Sequence, residues 1–317
     1  IKELMETMKF LAKEGKSILF ISHKLNEIME VSDTCTILRK GKFIKTVKTK
    51  ETNVEELASL MVGRHVMFLL DKKKSHPGKT LLDIQNLTSK SKLGHKKSLK
   101  NVNVRVREGE IVTIAGIEGN GQIDFVSCIT GLSKIEKGKI LFEGKDISHC
   151  SVQKRIQSGL SHIPEDRQKY GLVLDFNMDE NVVIERYRSE DFSKAGVIRF
   201  KKRTEYTNDI ISKYDIRSSQ GTKTCVRSMS GGNQQKVIVG RELEKEHSLL
   251  VAVQPTRGLD VGAIESIHRR ILEDRDSGRG VLLVSLEMDE VMNLSDYIYV
   301  MYEGEIVGLF KGGKVTS

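Results

Sequence analysis

The chain carries one long pattern twice. Gly15 to Asp33 aligns without a gap on Gly278 to Asp296, with His23 falling on Leu286, an offset of 286 − 23 = 263. Ser22 meets Ser285, Glu27 meets Glu290, Met29 meets Met292, Ser32 meets Ser295 and Gly41 meets Gly304. Self-similarity at so long a period marks two copies of one domain rather than a short solenoid repeat. Ile1 falls on Ile264, so everything in the second copy before Ile264 has no counterpart in the first. Length alone suggests about two complete domains. The repeat replaces that expectation with another: the C-terminal part of a first domain over residues 1–66, a linker over 67–79 and a whole second domain over 80–317.

Composition narrows the class. The 317 residues are 38% hydrophobic and 30% charged, as in ordinary globular proteins. Apolar runs such as Leu249 to Val253 are too short to span a bilayer. Cys35, Cys128, Cys150 and Cys225 form no Cys-x-x-Cys pair, which argues for a reducing compartment and against a zinc site. The net charge of +9 is concentrated in Lys42 to Lys50 and Lys72 to Lys79. Trp is absent and aromatics make up 5%, a poor platform for stacking single-stranded bases. A solvated hairpin edge and linker are the expectation for those lysines, and no nucleic-acid partner is expected.

The element pattern is α/β. Ser17 to Ser22 reads as a buried strand, and Thr34 to Val47 as a hairpin about Lys40-Gly41-Lys42. Thr52 to Met61 reads as a helix with Asn53 as cap, Glu55 and Glu56 in its first turn and Gly63 as stop. Leu81 to Ile84, Ile111 to Ala115, Ser248 to Val253 and Gly280 to Ser285 read as strands, and Gln122 to Leu132 and Val237 to Leu243 as helices. Strands alternating with helices predict a largely parallel sheet covered by helices, with the opening strands of the second domain as an added antiparallel layer.

Two stretches carry chemistry. Ile111 to Ala115 leads into Gly116-Ile117-Glu118-Gly119-Asn120-Gly121-Gln122-Ile123-Asp124, a strand, glycine-rich turn and helix in the frame G-x-x-x-x-G-K-[ST]. The glycines leave the backbone free to wrap a phosphate, but Gln122 stands at the lysine position and Ile123 at the metal-binding hydroxyl. A neutral amide does not balance phosphate charge, and isoleucine offers no oxygen. Two readings remain open at this turn: a weakened phosphate cradle, or a tight turn that binds nothing. The second stretch, Ser230-Gly231-Gly232-Asn233-Gln234-Gln235-Lys236, precedes the expected helix. Glycines at a helix N-terminus admit close approach of an anion to unpaired N–H groups. An ordinary cap and turn is the plainer reading of the triplet by itself.

Ser230 to Lys236, followed by an apolar strand and Pro255-Thr256-Arg257-Gly258-Leu259-Asp260, resembles the signature motif and D-loop of ABC-type ATPases. Gly119 to Gln122, His162 to Arg167, Gly171 to Val173 and Gln254 to Ala263 extend the likeness over the whole chain. It is most similar to the fused, two-cassette ATP-binding subunits of bacterial importers for simple sugars and nucleosides, and Gly94-His95-Lys96 with the Gly-Asn-Gly-Gln form tilts it to nucleosides. The resemblance implies a P-loop NTPase fold of ABC type: a mostly parallel sheet, an antiparallel β layer and a helical subdomain, preceded by the end of a first such cassette. It implies ATP between two cassettes, each nucleotide meeting the P-loop of one and the signature of the other. Ser230, Gly231, Gly232, Asn233 and Gln234 would then face ATP and Mg2+ held by a first-cassette P-loop that precedes this chain. His23 resembles the switch histidine of that site, and Asp260 would link the halves. Gly116, Glu118, Gly119, Asn120, Gly121, Gln122, Ile123 and Asp124, with Gln254 at the catalytic-base position and Glu165 at the Q-loop position, would line a second, non-hydrolytic site without a metal. Permease subunits in the membrane and, indirectly, a substrate-binding lipoprotein are the implied partners, at the cytoplasmic face of the membrane. The isolated chain is expected to be inactive, and the longer tandem protein an ATPase. A soluble tandem ABC protein acting on ribosomes or nucleic acid is the alternative, but those resembling translation factors carry a long charged helical linker. An inactive fragment is the third.

Overall fold

Unbroken apolar strands pair in parallel at the centre of the larger of two packing units. The computed structural model describes residues 2–22, 24–39, 41–65, 72–90 and 99–313. The chain divides into Ile1–Leu70 with Leu259–Ser266, and Asp71–Gly258 with Ile267–Ser317.

In the first unit, α1 (Lys2–Lys13) and α2 (Leu25–Val31) precede a hairpin of β1 (Thr34–Arg39) and β2 (Lys42–Lys48), and α3 (Val54–Val62) follows. α3 is bounded as its sequence dictates: Asn53 Oδ1 accepts the Glu56 N–H at 2.8 Å, and Gly63 ends it with a left-handed φ of 87°. Leu25, Ile28, Ile37, Leu57 and Ala58 form its buried core.

The second unit opens with β3 (Thr80–Ser89), β4 (Leu99–Arg107), β5 (Ile111–Ala115), α4 (Gln122–Thr130), β6 (Lys137–Phe142), β7 (Lys145–Asp146), α5 (Val152–Gln157) and β8 (Leu160–Ile163). A mainly helical stretch follows: α6 (Met178–Val183), the short strands β9 (Ser193–Lys194) and β10 (Val197–Ile198), and α7 (Phe200–Lys213). The chain then runs through α8 (Gly231–Glu244), β11 (Leu249–Val253), α9 (Val261–Asp276), β12 (Gly280–Val284), α10 (Met288–Leu294), β13 (Tyr297–Tyr302) and β14 (Glu305–Lys311). Among the described residues, six strands form the main sheet in the order β14-β13-β5-β12-β11-β8. All its pairings are parallel except that of the edge strand β14. A second, antiparallel sheet has the order β4-β3-β6-β7. Leu82, Val104, Ile114, Phe125, Ile129, Ile140 and Leu282 pack together, so α4 and both sheets share one core. Burial on both faces explains why β11 and β12 read as continuous apolar runs rather than alternating ones. Arg155 closes the far end of α4: its guanidinium donates to the carbonyls of Cys128 (2.9 Å), Ile129 (2.6 Å), Ser148 (3.0 Å) and Cys150 (3.1 Å).

Three expectations need correction. The buried strand over Ser17–Ser22 is absent, with Leu19 and Ile21 97% and 99% exposed. Their equivalents Leu282 and Val284 are 0% and 2% exposed, because β12 is paired on both edges by β11 and β5. Apolar sequence suits a strand, but only ladder partners make one. Lys72 is not a solvated linker charge. Its ammonium donates to Ser295 O (2.6 Å) and pairs with Asp296 Oδ1 (2.8 Å), and burial pushes its pKa down against those contacts. Ser75 Oγ donates to Gly109 O at 2.7 Å, so this part of the expected linker lies against the second unit; residues 67–71 lie outside the described residues. Finally, α8 begins at Gly231, with Ser230 as its N-cap residue, so the two glycines form the helix's first turn instead of preceding it.

Candidate nucleotide-binding site

β5 ends in the interior of the sheet and α4 starts seven residues later, which forces the chain through a tight turn. Gly116, Gly119 and Gly121 take φ of 157°, 87° and 108° to make it. A Cβ on Gly116 would lie 2.4 Å from Met301 O and 2.7 Å from Gln122 Nε2. The turn is closed by its own side chains. Gln122 is buried; its Nε2 donates to Ile117 O (3.1 Å) and its Oε1 accepts the Asn120 N–H (3.1 Å). Asn120 Nδ2 donates to the same Ile117 carbonyl (3.0 Å), while Asn120 Oδ1 and O accept the Glu303 and Gly304 N–H groups at 3.1 and 2.9 Å. One backbone donor that a phosphate cradle would offer is thus taken by the amide standing at the lysine position. Ile117, Glu118, Gly119 and Ile123 face solvent, and Asp124 is half-buried.

Facing this turn is Glu165, just past β8. Its carboxylate Oε1 accepts from Gln254 Nε2 (3.1 Å) and Arg257 Nη1 (3.4 Å). Burial raises its pKa, the charges of Glu118 and Asp166 add to that, and Arg257 and the Gln254 bond oppose it. The structure therefore brings Glu118, Glu165 and Gln254 into one neighbourhood. Gln254 holds a left-handed φ of 45° at the end of β11, a strained conformation for a non-glycine residue. Val253 beside it is fully buried.

The Ser230–Gly232 stretch is organised separately. Asn233 Nδ2 donates to Ser230 Oγ (2.9 Å), and Asn233 Oδ1 accepts the Arg217 N–H (2.9 Å). The Arg167 guanidinium lies against Gly231, 2.5 Å from where a Cβ would stand. Arg167 Nη1 in turn reaches Arg257 O at 3.4 Å, which links this helix start to the turn after β11. Gln234 differs from its expected role. It is buried and its Nε2 donates to Val226 O (2.9 Å), a packing contact that turns its side chain inward. Asp260 caps α9 by accepting the Ala263 N–H at 2.9 Å, and it packs with the first unit. His23 lies outside the described residues, as does Gly94-His95-Lys96.

Sequence reasoning missed a buried charged group behind the site. Glu242 Oε2 accepts from Ser161 Oγ (2.7 Å), the His162 N–H (2.9 Å) and Lys245 Nζ (2.5 Å), and its Oε1 from Arg241 Nε (2.7 Å). Burial alone would raise this carboxyl; Lys245 and Arg241 outweigh it and hold the pKa far below the carboxylate range. Arg241 Nη1 also donates to Gly171 O at 2.9 Å. The network ties α8 to β8 and to the segment after Glu165. An Arg-Glu pair within an otherwise apolar helix face was the available signal. His162 sits beside it with Nε2 enclosed and unpartnered, and burial lowers its pKa to about 4.

The family profile described as ABC transporter matches residues 99–257, which hold the turn, Glu165, Ser230–Gly232 and Gln254. The chain belongs to the ABC transporter family. The ABC domain is an ATP-binding domain. The chain is 48% identical over 317 residues to the guanosine import ATP-binding protein of Bacillus subtilis, and 44% identical over 317 residues to the nucleoside import ATP-binding protein of Lactococcus lactis. Each match covers 100% of this chain and 62% of the relative, so the chain spans about three-fifths of their length. A ribose import ATP-binding protein of Caldanaerobacter subterraneus is 36% identical, with the same coverage of 100% and 62%. Among solved structures, an ADP- and phosphate-bound ATP-binding cassette dimer matches with TM-score 0.63 and 22% identity, over 73% of this chain and 98% of that one. A nucleotide-free cassette matches with TM-score 0.61 and 22% identity, over 74% of this chain and 93% of that one. The fold is therefore that of an ABC ATP-binding cassette.

The Gly116–Asp124 turn and the end of β11 depart from a magnesium-ATP cradle in three side chains. The turn lacks an ammonium at Gln122 and a hydroxyl at Ile123, and Val253 lacks the carboxylate that would support the metal.

Proposed function

We propose that this chain serves, within a longer tandem polypeptide, as the ATP-binding energy-coupling part of an importer for nucleosides or simple sugars. The 48% identity to a guanosine import protein over the whole chain supports the nucleoside branch. Residues 80–317 act as the second cassette and residues 1–66 as the end of the first, joined by 67–79. The Gly116–Asp124 turn with Glu165 and Gln254 is non-hydrolytic. Ser230, Gly231 and Gly232, at the half-exposed start of a 14-residue helix, offer N–H donors and a helix dipole to ATP bound with Mg2+ on a P-loop carried elsewhere in the polypeptide. His23 belongs to that same site, and Asp260 to the surface joining the halves. Permease subunits in the membrane receive the conformational change, a substrate-binding protein delivers the solute, and the assembly sits at the cytoplasmic face. Among the described residues no helix is long and apolar enough to cross a membrane, which fits a peripheral role.

The observation that carries the reading is the self-satisfied turn, in which the Gln122 amide occupies a cradle N–H. The test is ATP turnover by the tandem protein assembled with its permease. Ser230→Arg and His23→Ala are each expected to lower kcat by about a hundredfold or more, the scale of losing a transition-state contact. Gln122→Ala is expected to cost less than about tenfold. Equal collapse in all three variants would overturn the division into one hydrolytic and one non-hydrolytic site.

A further inference from the structure

The turn after β11 is held from several directions. Gln235 Nε2 on α8 donates to Pro255 O at 2.9 Å, and Arg167 reaches Arg257 O at 3.4 Å. The Gln254 N–H donates to Val284 O at 2.7 Å. A further anchor is Thr256, whose Oγ1 donates to Glu290 Oε1 at 2.8 Å. His268 Nε2 on α9 lies 2.8 Å from that same oxygen. Thr256, His268 and Glu290 are all buried, and Glu290 Oε2 is enclosed without a hydrogen-bond partner.

This is a costly arrangement for mere packing. A buried carboxylate with an unsatisfied oxygen loses hydration that one hydroxyl and one imidazole only partly replace. Apolar side chains would fill the same space at less cost. The carboxylate gives direction instead, fixing the Thr256 hydroxyl and with it the backbone of the turn. Glu290 stands on α10, four residues past Leu286, and the Glu287 N–H that opens α10 donates to Ser285 Oγ at 3.1 Å. A displacement of the Ser285–Glu287 corner therefore moves Glu290, and the turn moves with it. The repeat shows the same position engaged by a different partner. Glu27 occupies the Glu290 position in the first copy, and its Oε2 accepts from Ser22 Oγ at 3.0 Å.

We infer that Glu290 is a positioning residue that sets the Pro255–Gly258 turn through Thr256 and couples it to the corner at Leu286. The inference rests on the function proposed above, because the turn matters for turnover only if the tandem protein hydrolyses ATP.

The experiment measures kcat and KM for ATP in the tandem protein with its permease, with urea midpoints as a check on folding. Thr256→Val keeps the side-chain shape and removes the donor; Glu290→Ala removes the acceptor; Glu290→Gln keeps an acceptor oxygen. The expected result is a fall in kcat of about tenfold or more for Thr256→Val and for Glu290→Ala, with KM changed less than about twofold. The double variant should be no worse than the poorer single one, as for residues acting through one contact. Glu290→Gln should recover most of the rate. Should Glu290→Ala fail to fold, Thr256→Val and Glu290→Gln carry the test. Wild-type kcat in Thr256→Val, multiplicative loss in the double variant, or equal loss in Glu290→Gln and Glu290→Ala would each overturn the inference. Unaltered turnover in Ser230→Arg would strike the functional reading instead, so the two failures are distinguishable.

Discussion

Acidification should weaken the second packing unit through His162. Its Nε2 is enclosed without a partner, Arg241 and Lys245 oppose a proton there, and only Glu242 favours one. Burial, the leading cause, lowers the pKa from 6.5 to about 4. A histidine depressed in this way is neutral in the folded state while the unfolded chain still binds a proton. Its contribution is thus fully present above pH 6.5 and is lost as pH falls from 6.5 toward 4. Between pH 7 and pH 5 the linkage relation gives about 2 kcal/mol of lost stability. The residue as a whole is only half-buried, which makes this an upper figure. With a urea slope of about 3 kcal/mol/M, the midpoint should fall by about 0.6 M. The assay is urea unfolding at pH 5, 6 and 7, comparing wild type with His162→Leu, which keeps the backbone N–H to Glu242 and removes the titration. Other groups titrate in both proteins and cancel in the comparison. If both midpoints shift equally with pH, the burial argument for His162 is wrong.

Other outcomes follow from single contacts. Glu242→Gln leaves Glu185 as the carboxylate facing the buried Arg241 and Lys245 and should cost about 3 kcal/mol, read as a lower urea midpoint at neutral pH. Gly116→Ala forces a Cβ to 2.4 Å from Met301 O at a positive φ, and should destabilise by about 1–3 kcal/mol in the same assay; an unchanged midpoint would mean the turn has room to relax. Arg155→Met strips four carbonyls near the end of α4 of their donor; loss of at least about 2 kcal/mol is expected, with hydrogen exchange fastest at Cys128 to Thr130.

The sequence by itself determined what is local. The strand–turn–helix around Gly116 to Gln122, the Asn53 cap, the Gly63 stop and the hairpin of Thr34 to Lys48 are set by backbone preferences within a few residues, and all were legible. The repeat was also legible, because the same local pattern recurs. Tertiary structure decided what depends on distant segments meeting. Gln122 could be read as a missing cation, but not as an amide folded into its own turn. Glu165 meets Gln254, Ser161 meets Glu242 and Thr256 meets Glu290 only because strands and helices distant in sequence pack together within the second unit. Leu19 and Ile21 make the converse point: they carry the same kind of side chain as Leu282 and Val284, yet stand exposed while the others are buried. Burial belongs to the partners a segment finds, and a linear pattern of apolar residues states only what it would bury if they came.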